Sequence, residues 1–168
     1  MTTLSNAAEN AGGMEALVTT EERNERRYEP AVLRQYEGDG IVVHWEPQLC
    51  IHVASCIREL PGVFDPNSRP WVNVTAANAD DIASAVETCP TGALRYERTD
   101  GAPQEAPATP TTVQPRLNGP VFVRGAVEVV DTQGNVLRQA TRLALCRCGA
   151  SANKPYCDLS HRAVGFKS

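Results

Sequence analysis

The sequence lacks the features that would place it in several common classes of protein. Among its 168 residues, no apolar run approaches the roughly 20 residues that a helix needs to cross a bilayer. Acidic residues outnumber basic residues by 20 to 16, so no basic excess exists to neutralise the phosphates of a nucleic acid. No phosphate-binding loop, nucleotide-binding fingerprint or placeable Ser–His–Asp pattern occurs. We therefore expect a protein that is not an enzyme and that has neither a membrane nor a nucleic acid as its partner.

Aromatic residues are also scarce, at 5% of the chain. A chain with so few large rings has a thin core, and a bound metal can supply part of its folding free energy. The amino terminus has no basic segment followed by an apolar one, the pattern of a secretory signal. Six cysteines without such a signal favour a reducing compartment and metal chemistry, so we expect a cytoplasmic protein.

Three cysteines and one histidine lie close together near the carboxyl terminus. Cys146, Cys148, Cys157 and His161 form a complete four-ligand set for a soft metal or an iron–sulfur centre. The segment between the two pairs is polar and turn-prone, which suits a loop that folds the second pair back toward the first. A Cys3His zinc site, a disulfide pair and buried thiols are the alternatives. Structural zinc sites more often use C-x2-4-C spacing, and a disulfide would leave one thiol unpaired, so we favour the iron–sulfur centre.

This spacing resembles that of the CDGSH iron–sulfur domains. Those domains carry C-x-C, a Ser or Thr three residues later, and then P-x-C-D-G-x-H. The chain matches them at Cys146, Cys148, Ser151, Pro155, Cys157, Asp158, Ser160 and His161. The resemblance implies a [2Fe–2S] cluster with Cys146 and Cys148 on one iron and with Cys157 and His161 on the other.

Leu159 departs from that pattern, because the family usually has glycine at this position. A leucine does not easily take a left-handed backbone conformation. We expect it to alter the loop or to shield the cluster, without removing a ligand.

The other three cysteines are spread over the first half of the chain, at Cys50, Cys56 and Cys89. The pattern predicts a strand over 41–45, a short helix that runs out of Cys56 and a strand over 71–74. A second helix over 78–88 is predicted from its Asn78 cap, its apolar spacing and Pro90 after its end. A last strand is expected near residues 95–96.

This arrangement resembles a divergent mono-cluster ferredoxin. The shared segments are C-I-H-x3-C, V-F-D-P, R-P-W-V and C-P-x-G-A-L, which occupy residues 50–56, 63–66, 69–72 and 89–94. The resemblance implies an iron–sulfur cluster held by Cys50, Cys56 and Cys89. Three thiols in this arrangement make inert, buried cysteines an improbable alternative.

The usual middle cysteine of that ferredoxin pattern is replaced by Val53. Three thiolates hold a [3Fe–4S] cluster outright, whereas a [4Fe–4S] cluster needs a fourth ligand such as a hydroxide, a carboxylate or His52. His52 is the protein ligand that we nominate, and a histidine beside the cluster or on the surface is the alternative.

The chain divides into four segments. We predict a disordered tail over 1–27, a ferredoxin-like domain over 28–98, a proline-rich linker over 99–116 and a CDGSH domain over 117–168. In the last domain, strands over 121–130 and 136–145 flank a hairpin turn over 131–135, and Arg138 and Arg142 stand among apolar neighbours. The expected fold class is α+β: a small ferredoxin-like domain and a β-rich CDGSH domain with little helix.

A two-stranded hairpin is weak alone, so we expect either a homodimer, which the CDGSH resemblance implies, or packing on the ferredoxin-like part. The linker implies no fixed contact between the two centres.

These sequence features are consistent with three functions. The first is a two-cluster iron–sulfur protein that carries or relays electrons to a redox partner protein not identified by the sequence. A neutral imidazole ligand raises the potential of one centre above that of an all-thiolate one. Protonation of His161 competes with iron, so cluster loss at acid pH is expected. The second is a sensor or a cluster-transfer protein, because a single histidine ligand makes a labile centre that can be released to an apo-partner. The third is a structural zinc protein.

Overall fold

The computed structural model describes residues 33–168. The predicted tail over 1–27 lies outside the described residues, as do the first residues of the predicted ferredoxin-like domain. The described chain is α+β, with two three-stranded antiparallel sheets and short helices. This confirms the expected fold class. Among the described residues, no helix has both the length and the apolar character needed to cross a membrane.

The first sheet has the strand order β1-β2-β3, with β1 at Arg34–Gly38, β2 at Ile41–Trp45 and β3 at Leu94–Arg98. Both pairings are antiparallel, and β2 lies in the centre. Ile41 and Val43 alternate along β2 and are completely buried, as expected for a strand with one face on a core. The strand predicted over 41–45 and the one near 95–96 are therefore confirmed.

Two helices accompany this sheet, α1 at Ser55–Glu59 and α2 at Ala79–Glu87. The helix α2 packs against β3, and α1 packs against α2. Asn78 caps α2: its side-chain oxygen accepts a hydrogen bond from the Asp81 amide at 2.9 Å, and its amide group donates to the Asp81 carboxylate at 2.8 Å. Ile82 and Val86 of α2 are completely buried. Both predicted helices are confirmed, and α2 brings Cys89 to the edge of the core.

The strand predicted over 71–74 is wrong. Only a single bridge forms there, between Phe64 and Val72. The side chain of Asn73 accepts hydrogen bonds from both the amide and the hydroxyl of Thr75, at 3.2 and 2.8 Å. Such a local turn competes with strand pairing, so the extended segment ends after one bridge.

The second sheet has the order β4-β5-β6, with β4 at Thr112–Pro115, β5 at Val121–Val130 and β6 at Val136–Leu145. The predicted hairpin is confirmed, and the Asp131 carboxylate accepts hydrogen bonds from the Gln133 and Asn135 amides in its turn. β4 lies inside the segment 99–116 that was predicted as a linker without a strand, and its residues pair with β5 at the edge of the sheet. An edge strand tolerates proline, because one of its sides needs no ladder donor.

Arg142 joins the two sheets. It lies on β6, is 1% exposed, and donates hydrogen bonds to the carbonyl oxygens of Val86, Cys89 and Leu94 at 2.7, 2.6 and 3.2 Å. The Glu105 carboxylate pairs with its guanidinium at 2.7 Å. The hairpin was expected to be supported either by a homodimer or by the ferredoxin-like part. In the structure the hairpin packs on the ferredoxin-like part through Arg142.

Candidate metal centres

The carboxy-terminal ligands lie where β6 ends. The Cys146 amide donates to the Pro155 carbonyl oxygen, and the Cys157 amide donates to the Ala144 carbonyl oxygen, both at 2.8 Å. A bridge between Leu145 and Tyr156 lies between these two hydrogen bonds. The loop is thereby folded back on the end of β6, and the second ligand pair returns to the first.

The four predicted ligands come together as two pairs. The sulfur atoms of Cys146 and Cys148 are 3.8 Å apart, and the Cys157 sulfur is 3.4 Å from Nδ1 of His161. Cys157 and His161 are buried, whereas Cys146 and Cys148 are partly exposed. In the part of the chain that the structure describes, no group of three or more His, Cys, Asp or Glu side chains is arranged to hold a single metal ion.

The pKa shifts of these thiols are consistent with a site for a positively charged metal centre. Burial raises the pKa of Cys157, and the nearby charges of Asp158, Cys146 and Cys148 raise it further. Burial also acts to raise the pKa of Cys146, but amide hydrogen bonds from Ser151 and Gly149 outweigh it, and that pKa is lowered. The loop therefore stabilises one thiolate, while the mutual repulsion of the set is relieved when iron binds.

Asp158 and Ser151 shape the loop without being ligands. The Asp158 carboxylate accepts hydrogen bonds from the Ala152 amide at 2.8 Å and from the Ser160 amide and hydroxyl at 3.0 and 2.6 Å. Burial acts to raise its pKa, but these hydrogen bonds lower it to about 2. Ser151 donates to the Tyr156 carbonyl oxygen at 2.7 Å. Sequence reasoning matched both residues to the motif but gave them no role.

Leu159 takes the conformation that was expected to be difficult for it. Its φ is 73°, in the left-handed region, and it caps α3 at Ser160–Ala163. A left-handed leucine costs about 1–2 kcal/mol. Its side chain packs against the buried cluster of Ile51, Ala144 and Cys157. Apolar contacts with this cluster therefore offset part of the backbone strain.

The amino-terminal cysteines converge on one small cavity. Cys50 follows a 3-10 turn at Pro47–Leu49, Cys56 lies in α1, and Cys89 follows α2. All three line the same cavity. Burial raises the pKa of Cys50 and, to about 11, that of Cys56, and the charge of Cys89 raises both further. The three thiols are thus close enough to repel one another as thiolates.

Two tryptophans that line this cavity bear on whether it fits an iron–sulfur group. Trp45 and Trp71 both line it, with their ring centroids 4.7 Å apart. The indole N–H group of each is buried and has no acceptor among the described residues. Buried donors nearly always find a partner, and the sulfurs of iron–sulfur clusters accept hydrogen bonds. Three thiols beside two orphaned donors fit such a group.

His52 and Val53 also line the cavity. Nδ1 of His52 lies 3.9 Å from the Cys50 sulfur, and His52 has a left-handed φ of 50°. Val53, at the position of the missing cysteine, is 38% exposed. His52, the nominated fourth ligand, therefore lies at the edge of the cavity, beside the partly exposed Val53.

The two sites contact each other, although the sequence implied no fixed contact. Ile51 directly follows Cys50 and is buried in one apolar cluster with Cys157 and Ala144. A few residues away, the Asn153 side chain donates to the Gln48 carbonyl oxygen at 2.9 Å. The loop that precedes the first site is therefore held against the loop of the second.

Sequence reasoning missed the roles of Arg142 and of the two tryptophans. For Arg142 a signal was available, because a charged residue among apolar neighbours in a strand needs buried partners. The tryptophans carried no such signal, since their indole groups meet only when β2 and residues 69–72 come together.

Two known families match separate parts of the chain. Residues 36–99 match the family described as divergent 4Fe-4S mono-cluster, and residues 118–162 match the iron-binding zinc finger of CDGSH type. Over 63 residues the chain is 30% identical to "Uncharacterized protein YjdI" of Escherichia coli strain K12. The alignment covers 38% of this chain and 83% of that protein. The same protein of Escherichia coli O157:H7 gives the same values. The chain therefore belongs to the divergent 4Fe-4S mono-cluster family through its first half and joins to it a CDGSH-type iron-binding domain.

Proposed function

We propose that this protein carries two iron–sulfur clusters and relays electrons one at a time, without an enzymatic reaction of its own. When bound, each cluster takes up and releases a single electron. Its first set of ligands, for a [3Fe–4S] or [4Fe–4S] cluster, is Cys50, Cys56 and Cys89, with His52 as the nominated fourth. The second set, for a [2Fe–2S] cluster, is Cys146, Cys148, Cys157 and His161.

The observation that carries this proposal is the apolar cluster shared by the two ligand loops. Ile51 and Cys157 are each 4% exposed and form one apolar cluster with Ala144, and Leu159 packs against this cluster. Electron tunnelling falls off steeply with distance and is favoured by densely packed matter between donor and acceptor. Cys157 of the second site shares an apolar cluster with Ile51, which directly follows Cys50 of the first site. This cluster provides such a path.

The surrounding residues support electron transfer by keeping the ligands in place. Arg142 holds the Cys89 carbonyl oxygen, and the Cys157 amide is bonded to β6. Ligands fixed by the backbone move little when the charge at the site changes, which keeps the reorganisation energy low. The two ligand sets also differ, because only the second contains a neutral imidazole, so their potentials should differ.

An intramolecular rate measurement tests this proposal. A pulse of photoreductant that supplies less than one electron per chain should be followed by redistribution between the two EPR or absorption signals. The rate should not change when the protein is diluted tenfold. Ile51→Ala should slow it, while Ile57→Ala, a substitution in α1 outside the shared cluster, should have a smaller effect. A rate that scales with protein concentration would rule out the internal relay.

Cluster transfer is a second candidate, favoured by one observation. The Cys146–Cys148 half of the second site is partly exposed, whereas the Cys157–His161 half is buried. An acceptor protein reaches only the exposed half. Mixing the holoprotein with an apo-ferredoxin distinguishes the two functions: transfer of iron and sulfide faster than spontaneous decay supports delivery, and decay at the unassisted rate excludes it.

A further inference from the structure

A shallow groove of about 540 Å³ runs between the two ligand loops. Ile51 and Val53 of the first loop line it, together with Leu159 and His161 of the second. Residues of both ligand loops therefore line one groove, and a partner bound there lies against both loops.

The charged side chains that line this groove are all cationic: Arg116, Arg162 and Lys167. None of the described residues that line it is acidic, and none of these three cations forms an ion pair with a described acidic side chain. The chain as a whole has a net charge of −4. The groove is therefore a local positive region on an acidic protein, and it attracts a partner of negative charge.

Apolar surface accompanies these cations. Leu117 is 85% exposed and Val53 is 38% exposed, and Phe122 and Phe166 also line the groove. Exposed apolar residues rimmed by charged ones are characteristic of protein–protein interfaces. A small anion would make no use of this apolar area, so the occupant is a macromolecule.

The walls of the groove are preorganised. The Arg116 guanidinium lies 5.5 Å from the centre of the Phe122 ring, and that of Arg147 lies 5.3 Å from the centre of the Phe166 ring. Arg147 also donates to the Gly119 carbonyl oxygen at 3.0 Å, which connects the two walls. An arginine that is already stacked, as Arg116 is, loses less side-chain entropy when a partner binds.

We propose that this groove is the docking surface for an acidic electron-transfer protein, one whose carboxylates surround its own redox centre. The assignment rests on the proposed electron relay and adds the chemistry of its partner. Positive charge and apolar area meet in the groove that residues of both ligand loops line, and an acidic redox protein is complementary to both.

The test uses the cluster-loaded full chain and a purified acidic flavodoxin in its hydroquinone state as the probe. Arg116→Glu with Lys167→Glu reverses two groove charges. Arg124→Glu is the charge-reversal control, because this exposed cation lies on β5 outside the groove and does not line the cavity of the first site. Stopped-flow spectroscopy gives the second-order rate of electron transfer at low and high salt.

The wild-type rate should fall as salt is added, and the groove variant should be at least about tenfold slower at low salt. The control variant should stay within about threefold of wild type. Equal effects in the two variants, or a wild-type rate independent of salt, would overturn the docking surface.

Two further measurements separate the possible failures. Sedimentation of wild type and groove variant tests a second copy as the occupant: a wild-type dimer that becomes a monomer in the variant would overturn the proposal. The photoreduction experiment tests the relay itself. Internal redistribution with no salt-dependent reaction would reject only the docking surface, whereas salt-dependent reduction without redistribution would reject only the relay.

Discussion

Single side chains set the environment of each candidate cluster. Trp45 and Trp71 bring two buried indole donors, without protein acceptors among the described residues, to the cavity of the first three cysteines. Hydrogen bonds to cluster sulfurs stabilise the more negative, reduced state and so raise the reduction potential. The potential of the first centre should therefore depend on these two residues.

Trp71→Phe keeps an aromatic ring in the cavity wall but removes one donor. We expect the reduction potential of the first cluster to fall, while the potential of the second stays unchanged as an internal reference. An EPR-monitored redox titration measures both. Tyr36→Phe, which removes a hydroxyl elsewhere on the same core, is the control. An unchanged or higher potential in Trp71→Phe would show that the indole does not donate to the cluster.

Leu159 combines backbone strain with useful packing, and two substitutions separate these effects. Leu159→Ala keeps the left-handed conformation but loses contacts with Ile51, so we expect it to lower the free energy of unfolding by about 1–2 kcal/mol. Leu159→Gly loses the same contacts but relieves the strain, so it should be about 1 kcal/mol more stable than the alanine variant. Denaturant unfolding of the cluster-loaded protein measures both. An alanine variant as stable as the glycine variant would contradict the strain argument.

At the scale of elements, local chemistry decides which segments are regular. The helix α2 has an apolar stripe, an asparagine cap and a proline after its end, and the sequence was enough to predict it. The segment after Trp71 also has a strand-like composition, but the Asn73 side chain turns the backbone. The strand β4 also has β-branched residues, but it lies in a proline-rich segment, and it forms by pairing with the edge of β5.

The cap of α2 offers a direct test at this scale. Asn78→Ala removes the acceptor of the Asp81 amide and should lower the free energy of unfolding by about 1 kcal/mol. Asn78→Ser keeps an acceptor and should stay within a few tenths of a kcal/mol of wild type. Urea unfolding followed by circular dichroism distinguishes them. Equal stabilities of the alanine and serine variants would mean that the cap contributes nothing.

The six cysteines and His161 could be proposed as ligands from the sequence, because the segments that carry them resemble those of two iron–sulfur families. The contacts that join the two sites could not. Arg142 reaches carbonyl oxygens more than forty residues away along the chain, and Ile51 meets Cys157 only after both sheets have formed. Such long-range partners depend on the whole fold, and a local pattern does not encode them.

At the scale of the whole molecule, Arg142 connects the second sheet to the first half of the described chain through buried hydrogen bonds. Arg142→Met would leave the Glu105 carboxylate without its buried cation and three carbonyl oxygens without their donor. We expect a loss of about 3–5 kcal/mol in the free energy of unfolding. Calorimetry should then resolve two transitions where wild type has one.

Arg124→Met is the control for this substitution. Arg124 is exposed and donates to the Glu87 carbonyl oxygen, so its loss should change stability by less than about 1 kcal/mol. If both variants unfold as wild type does, Arg142 does not hold the two halves together.

The central claim is that one chain holds two different iron–sulfur clusters. Iron, sulfide and zinc analysis of anaerobically purified protein, combined with EPR spectra before and after reduction, tests it most directly. We predict about six sulfide ions per chain, with about five iron atoms if a [3Fe–4S] cluster accompanies the [2Fe–2S] cluster and about six if a [4Fe–4S] cluster does. Cys56→Ser should remove one signal, and Cys157→Ser should remove the other. Zinc without sulfide, or the loss of both signals in each variant, would contradict the account.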